Sequence, residues 1–453
     1  MKPFLRTGSL VLASLLLAWA VAGCAGYGAK APAPLTDAQV QKNMESFDMV
    51  WETIRDKHWD PELGGLDWSA ARDTLRPKVE AATTQREARG AMGELIDLLG
   101  QSHFGIIPAS VYDDATGAVK KKDRPKSGAH ADIASDGYSG MDIRLVDDQV
   151  LVVKVDPGSP AAAAGIVPGW QILKVDDEDL APIIERLTSA LAGRHSVSLI
   201  MARAIASRLD GETGEIVAVD LLDGAGAEVR HDLVLSEVPG VPVTTGNLPE
   251  VNVWSVTDRL DGDVGYFRFN YFLGIMEIMP AYNAAMADFK DATGIIVDLR
   301  GNPGGLGGMA MGMSGWFIQD KGHVLGTMFT RGGPLKFAVN PRLGSFTGPV
   351  AVLVDELSAS TSEIMAGGLQ DLERARIFGR TTAGAALPSV IDKLPNGDGF
   401  QYAIANYISH GGVTLEGTGV VPDEEIIPTR DKLLTGVDPA VEAARQWILQ
   451  QTP

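Results

Sequence analysis

The sequence predicts a multidomain α/β protein with a helical N-terminal domain, a small β-rich domain and a larger core built on an α/β sheet. Apolar residues recur at helical spacing between residues 36 and 100. Short strand-like segments separated by strong turns fill residues 130–240. From about residue 243 onward, apolar β-branched segments alternate with helical stretches. The length of 453 residues suits two or three such domains.

The composition narrows the class of function. The formal net charge is −19, whereas nucleic-acid-binding proteins present a basic face, so nucleic acid is not an expected partner. The single cysteine, Cys24, excludes an internal disulfide. We find no His, Cys and Asp pattern with metal-ligand spacing and no phosphate-binding glycine loop, and therefore expect neither a metal nor a cofactor.

The first residues predict export and a lipid anchor. A positively charged start precedes an apolar run from Leu10 to Val21, which is shorter than the roughly 20 residues of a spanning helix. The sequence Val21-Ala22-Gly23-Cys24 is similar to a bacterial lipobox, in which the cysteine is lipidated and becomes the first mature residue. Residues 1–23 are then a lipoprotein signal peptide. The alternative is an ordinary signal peptide with an incidental cysteine.

Residues 24–35 are expected to form a tether between the lipid and the folded domains. The expected location is the bacterial cell envelope, at the periplasmic face of the outer membrane, because Ala25 replaces the aspartate that favours inner-membrane retention.

The N-terminal domain and its linker are assigned to residues 36–125. Two capping-box pairs, Thr36 with Gln39 and Thr84 with Glu87, mark helix starts. A basic, proline-containing stretch over residues 120–126 predicts the linker.

Residues 126–240 are predicted to form the β-rich domain. The run GSPAAAAGIVPGWQILKVDD at 158–177 resembles the PDZ family, whose members bind an extended peptide as an added strand. By that resemblance Gly140, Met141 and Asp142 occupy the loop that captures a terminal carboxylate. Residues 196–237 exceed what such a domain needs and suggest a hairpin insertion.

Two motifs in the last domain, residues 241–453, carry candidate chemistry. The glycine-rich stretch DLRGNPGG at 298–305 follows a buried strand, and its glycines allow backbone amides to approach a ligand closely. The second motif, SASTSEIMAGGLQD at 358–371, follows the strand-like segment 350–354 and begins a helix. A serine at a helix N-terminus suits a nucleophile whose product is an oxyanion. A plain turn and simple helix capping are the alternatives.

These two motifs and the later segment GTGVVPDEEI at 417–426 together resemble the C-terminal processing (tail-specific) serine peptidases and their tricorn-protease relatives. The resemblance implies a ClpP/crotonase-like protease core and a peptidase reaction. It implies that Ser360 is the nucleophile. The backbone amides of Thr361 and of Gly304 or Gly305 would form the oxyanion hole.

For the residue that acts as general base, the resemblance favours the tricorn branch over the tail-specific branch. The tail-specific branch carries a lysine about 25 residues after the serine, where this chain has Ala385. The segment LGQSH at 99–103 is instead similar to a tricorn segment whose histidine is the general base. This similarity implies that His103 is the base, with Ser102 supporting the site and Glu416 hydrogen-bonded to the imidazole. An ordinary histidine would give activity that rises through roughly pH 6–7.

The sequence thus predicts a serine endopeptidase that cleaves peptide bonds near the C-termini of envelope proteins. Two rival hypotheses remain. One is a catalytically inactive peptide- or ligand-binding lipoprotein of the same fold, and the other is a lipoprotein whose PDZ-like domain tethers partners. Retention of both His103 and Glu416 favours the enzyme.

Overall fold

The computed structural model describes residues 34–109, 136–190 and 197–451. The predicted signal peptide, Cys24 and most of the tether lie outside the described residues, as does the basic stretch at 120–126. No helix in the described ranges is both long enough and apolar enough to cross a membrane.

The N-terminal region is a group of three helices, α1 (Asp37–Lys57), α2 (Trp68–Glu80) and α3 (Gln85–Asp97), with a short 3₁₀ turn at Leu63–Gly65. Both predicted capping boxes are confirmed at the starts of α1 and α3. The apolar faces of the helices bury side chains such as Phe47 and thereby form one core.

The helical region is joined to the last region by a strand. Strand β1 (Gly105–Ile107) pairs antiparallel with β21 (Gly399–Ala403), which also pairs with β20 (Ser389–Lys393). Phe400 and Tyr402 of β21 complete the hydrophobic core of the helices. The buried carboxylate of Asp398 accepts two hydrogen bonds from Arg89, at 2.9 and 2.7 Å. Strand β1 therefore fixes the chain directly after α3 onto the last region.

The middle region is built on one antiparallel sheet with the strand order β3-β4-β5-β8-β9, and β6 pairs with β5. A second small sheet has the order β10-β2-β7. The strands are β2 (Gly137–Tyr138), β3 (Met141–Val146), β4 (Gln149–Val155), β5 (Gln171–Val175), β6 (Glu178–Asp179), β7 (Asp210–Gly211), β8 (Ile216–Leu222), β9 (Glu228–Val234) and β10 (Ser236–Glu237). The helices are α4 (Pro160–Ala163), α5 (Leu180–Ala190) and α6 (Val197–Ala206).

The predicted insertion at 196–237 contains more than a hairpin. Strands β8 and β9 do form a hairpin, but both belong to the main sheet of this region. Helix α6 precedes them and was not expected from the sequence.

The last region is built on a six-stranded sheet with the order β13-β14-β15-β18-β19-β23. All neighbours are parallel except β13 and β14. Its strands are β13 (Ser255–Leu260), β14 (Val264–Phe269), β15 (Gly294–Asp298), β18 (Val350–Val354), β19 (Arg376–Gly379) and β23 (Glu424–Glu425). Strands β15 and β18 are completely buried, as their predominantly apolar sequences predict.

Helices cover this sheet, and smaller sheets flank it. The helices are α7 (Ile275–Asp288), a 3₁₀ turn (Phe289–Asp291), α8 (Gly307–Ser314), α9 (Thr361–Asp371), α10 (Arg430–Leu433) and α11 (Pro439–Gln451). The flanking strands are β11 (Val241–Val243) with β12 (Val251–Val253), and β16 (Val324–Thr330) between β17 (Gly333–Ala338) and β22 (Ala405–Ser409). The glycine-rich stretch and the serine cluster follow the adjacent parallel strands β15 and β18, so both motifs lie at the same edge of the sheet.

Candidate active site

Ser360 occupies a strained turn between β18 and α9, where it is the N-cap residue of the helix. Its backbone dihedrals are φ 55° and ψ −115°, a region that side-chain-bearing residues rarely adopt. Its N–H donates to the carbonyl oxygen of Ala385 at 2.8 Å and to Glu363 Oε2 at 2.9 Å. Two acceptors therefore hold the backbone of this serine in the strained conformation.

The neighbouring serines have structural partners. Ser358 Oγ donates to the carbonyl oxygen of Leu299 at 2.8 Å, and Ser362 Oγ donates to that of Asn302 at 2.8 Å. Both serines are fully buried, whereas Ser360 is half-buried. Of the three, Ser360 is the serine that a substrate can reach.

The glycine-rich stretch packs directly against the serine turn. Gly304 has φ 96°, and a Cβ atom at this position would lie 2.8 Å from both the Ala359 carbonyl oxygen and the Thr361 nitrogen. Asn302 fixes the contact, since its carbonyl oxygen accepts from the Ala359 N–H at 3.1 Å. Only glycine fits at position 304.

Two backbone N–H groups beside Ser360 are available to a ligand. The Gly304 N–H is used internally, because it donates to Asn302 Oδ1 at 2.9 Å. The N–H groups of Gly305 and Thr361, by contrast, have no acceptor within the described ranges. Thr361 Oγ1 donates to the carbonyl oxygen of Gly305 at 2.8 Å and holds the two residues together. The geometry thus favours Gly305 over Gly304 as the partner of Thr361.

His103, Ser102 and Glu416 come together although they are far apart in the chain. Ser102 Oγ lies 2.8 Å from His103 Nδ1 and donates to Glu416 Oε2 at 2.8 Å. The Ser102 N–H donates to Glu416 Oε1 at 2.7 Å, and Ala386 N–H donates to Oε2 at 3.1 Å. His103 itself has φ 59° and lies between α3 and β1. The strand pairing of β1 with β21 thereby fixes the position of the histidine.

This arrangement corrects one expectation from the sequence. Glu416 was expected to hydrogen-bond the imidazole, but its carboxylate contacts Ser102 instead, and Ser102 bridges to the ring. An ionised carboxylate only accepts, so the Ser102 hydroxyl donates to Glu416 and accepts from His103 Nδ1–H. The Nε2 atom of His103 then carries the free lone pair.

The environment keeps His103 neutral. Burial and, to a smaller extent, the positive charge of Arg203 on α6 lower the pKa of the imidazole to about 4. An expectation of an ordinary histidine pKa is therefore wrong for this site. No hydrogen bond joins His103 to Ser360 Oγ in the described part of the chain, and such contacts often form only with substrate bound.

Two of the three residues predicted to bind a terminal carboxylate, Gly140 and Asp142, contact other residues of the protein. Gly140 packs against Ser159, since a Cβ at position 140 would lie 2.0 Å from that of Ser159. The Asp142 carboxylate pairs with Arg144 and, at 3.0 Å, with Arg268 of β14, and these charges lower its pKa. The Asp142 side chain therefore forms ion pairs where the middle region contacts the last region. Met141 begins β3, an edge strand of its sheet.

Two features of the site were missed in the sequence. Arg144 of β3 forms an ion pair at 2.5 Å with Asp355, which precedes the serine cluster. Local sequence patterns do not predict a contact between residues so far apart in the chain. Glu363 lies three residues after Ser360, and this S-x-x-E spacing is the capping-box signal that would have identified it.

Comparison with known proteins identifies two family domains in the chain. Residues 263–426 match peptidase family S41, and residues 39–97 match the tricorn protease C1 domain. Residues 263–426 thus form a peptidase family S41 domain. A carboxyl-terminal-processing protease of Picosynechococcus is 27% identical over 386 residues, which are 83% of this chain and 81% of that protein.

Solved structures support the fold of this protein. A photosystem II D1 C-terminal processing protease has a TM-score of 0.54 at 22% identity and covers 90% of this chain and 99% of its own. Mature CPAF has a TM-score of 0.59 at 12% identity, with coverage of 91% and 97%. The matched family domain and the relatives identify the protein as a serine-type peptidase, a hydrolase.

Proposed function

We propose that the protein is a serine endopeptidase that cleaves envelope or periplasmic proteins near their C-termini through an acyl-enzyme on Ser360. The observation that carries the proposal is the hydrogen-bonded chain from Glu416 through Ser102 to His103. A histidine held in this way is oriented like the base of a catalytic triad, with a serine inserted between the base and the carboxylate.

His103 acts as the general base in this proposal. With Nδ1–H donated to Ser102, Nε2 accepts the proton of the Ser360 hydroxyl as that oxygen attacks the scissile carbonyl carbon. The imidazolium that forms is stabilised through Ser102 by the negative charge of Glu416. It then returns the proton to the leaving amine, and water hydrolyses the acyl-enzyme by the same steps.

The N–H groups of Thr361 and Gly305 bind the oxyanion. Both are without an acceptor in the described structure, and the Thr361 N–H lies at the positive end of α9. Preformed donors of this kind stabilise the charge that develops in the transition state without reorganisation.

The middle region selects the substrate, as a PDZ-like domain would. Strand β3 is an edge strand, so its outer backbone groups are placed to pair with an extended peptide. Helix α6 packs beside β3, and its Leu199 is buried against Ala359, Ala383 and Ala385 next to the nucleophile. A peptide bound along β3 would thus lie close to the reacting groups.

Attachment to the membrane completes the proposal. We assign Cys24 as the lipidated residue, on the strength of the lipobox-like sequence and the short apolar run before it. The peptidase would then work at the periplasmic face of the outer membrane, on peptide or protein substrates.

A fluorophosphonate probe tests the central assignment. The purified protein is treated with the probe, digested, and the labelled peptide is sequenced by mass spectrometry. Labelling confined to Ser360 and lost in Ser360→Ala is expected. Absence of any labelling at neutral pH, with the protein folded, would instead favour the inactive binding protein of the same fold.

A further inference from the structure

Glu363 lies beneath the nucleophile and is completely buried. Its carboxylate accepts four hydrogen bonds. Oε1 accepts from Thr382 Oγ1 at 2.6 Å and from the Gly384 N–H at 2.8 Å. Oε2 accepts from the N–H groups of Ser360 at 2.9 Å and Ala385 at 3.0 Å. This carboxylate therefore does more than cap helix α9, because it also binds residues of the loop at 382–385.

All four partners of Glu363 donate. The Thr382 hydroxyl is itself oriented by the Val420 N–H, which donates to Thr382 Oγ1 at 2.7 Å. Burial raises the pKa of Glu363 to about 7, and the hydrogen bonds oppose that rise because they favour the charged form. An amide side chain would set its NH2 group against at least one N–H group and break the arrangement.

The same carboxylate fixes one end of a short loop whose other end reaches the base. Gly384 and Ala385 donate to Glu363, and the next residue, Ala386, donates to Glu416 at 3.1 Å. The Ala385 carbonyl oxygen also accepts the Ser360 N–H at 2.8 Å. Three consecutive residues thus connect the carboxylate under the nucleophile to the carboxylate that orients Ser102 and His103.

We infer that Glu363 is a positioning residue for the peptidase reaction, which holds Ser360 in its strained conformation and sets the spacing between Ser360 and the Glu416–Ser102–His103 chain. The geometry gives it both tasks through one group, because one oxygen binds the Ser360 N–H and both oxygens bind the loop that leads to Glu416. The inference rests on the proposed nucleophile and base. It predicts that Glu363 governs the chemical step and leaves substrate affinity unchanged.

The test is Glu363→Gln in the full-length protein. We expect kcat on a peptide substrate, and the maximal rate of fluorophosphonate labelling of Ser360, to fall at least about tenfold, since misplacement of reacting groups is costly. KM and the probe's apparent binding constant should stay within about twofold, as expected when an interaction of the transition state alone is lost. A folded variant with parental kcat and labelling rate would overturn the inference.

Ile448→Ala is the matched control for lost stability. Ile448 is buried in α11 against the face of the sheet that carries Val264 and Ile296, and its truncation leaves a cavity that lowers stability. The control should lose melting temperature while it keeps parental kcat. If it loses kcat in the same proportion to stability as Glu363→Gln, the role of Glu363 is structural and the inference fails.

Thr382→Val serves if Glu363→Gln does not fold. It removes one donor to the carboxylate and leaves the three backbone donors in place. A fall in kcat of about two- to tenfold at unchanged KM is expected, whereas a folded variant with parental kcat contradicts the inference. Labelling of the parent protein distinguishes a failure of the proposed nucleophile from a failure of the proposed role of Glu363. A parent that the probe does not label refutes the proposed nucleophile, whereas labelling of the parent and of Glu363→Gln at equal rates refutes only the role of Glu363.

Discussion

Ser102 and Glu416 are separated by 314 positions in the chain, yet two hydrogen bonds of 2.7 and 2.8 Å join them. Both arise from one serine, one from its N–H and one from its hydroxyl. The carboxylate therefore orients the hydroxyl that meets the His103 ring, and the pairing of β1 with β21 keeps this contact in place.

We expect Glu416→Gln to lower kcat by about 10²-fold or more, because the amide cannot both accept from Ser102 and keep the charge that stabilises the imidazolium. Ser102→Ala should lower kcat less than His103→Ala does, since the base survives while its orientation is lost. Steady-state kinetics on a peptide substrate measure both. Equal activity of Glu416→Gln and the parent would remove Glu416 from the mechanism.

Ser360→Ala should abolish hydrolysis and leave the fold intact. Loss of an N-cap side chain costs at most about 1–2 kcal/mol, so circular dichroism and thermal melting should show a folded protein. The comparison variant is Ser362→Ala, which removes one buried hydrogen bond to the Asn302 carbonyl oxygen and should cost about 0.5–1.5 kcal/mol while Ser360 is still labelled. Hydrolysis that persists in Ser360→Ala would show that another group is the nucleophile.

The pH profile should reflect the low pKa of His103. A general base must be unprotonated, and burial lowers the pKa of this imidazole to about 4. Activity is therefore expected to stay level from neutral pH down to about pH 5 and to fall at lower pH. A rise through pH 6–7 in kcat/KM that persists in Glu363→Gln would show that the free enzyme holds an ordinary histidine.

Arg203→Gln should move that acidic limb to higher pH. The positive charge of Arg203 disfavours the imidazolium and lowers the pKa of His103, so removing it raises the pKa. Arg208→Gln is the control, because Arg208 lies near the same helix but pairs with Glu178 at 3.1 Å. An unchanged profile in Arg203→Gln would show that the two groups are not coupled.

Cys24→Ser should release the protein from the membrane fraction. Mass spectrometry of the parent is expected to show a chain that begins at Cys24 and carries lipid, as the lipobox-like sequence predicts. An unmodified Cys24, or retention of Met1, would contradict the assignment.

Local patterns were sufficient where the structure depends on neighbours in sequence. The capping boxes at Thr36 and Thr84 and the buried strands β15 and β18 follow from residues within a few positions of one another. The same kind of signal at Glu363 was present and was overlooked. Helix α6 carries no such signal, and its position beside β3 could not be read from the chain.

The candidate site depended on contacts that no spacing rule gives. Only the family resemblance brought His103 and Glu416 together with Ser360, since residues so far apart show no periodicity. The individual hydrogen bonds of the site follow only from the three-dimensional structure. The insertion of Ser102 between His103 and Glu416, and the use of the Gly304 N–H by Asn302, depend on side-chain directions that follow from packing.

The β1–β21 pairing and the Ser102–Glu416 contact both join the chain directly after α3 to segments beyond residue 398. A growing chain that has passed residue 360 already contains His103 and Ser360. It still lacks strand β21, which pairs with β1 next to His103, and Glu416, which orients Ser102. In the proposed mechanism, hydrolysis then requires the segment that carries β21 and Glu416. Synthesis in the order of the chain would therefore complete the site only after residue 416 has been added.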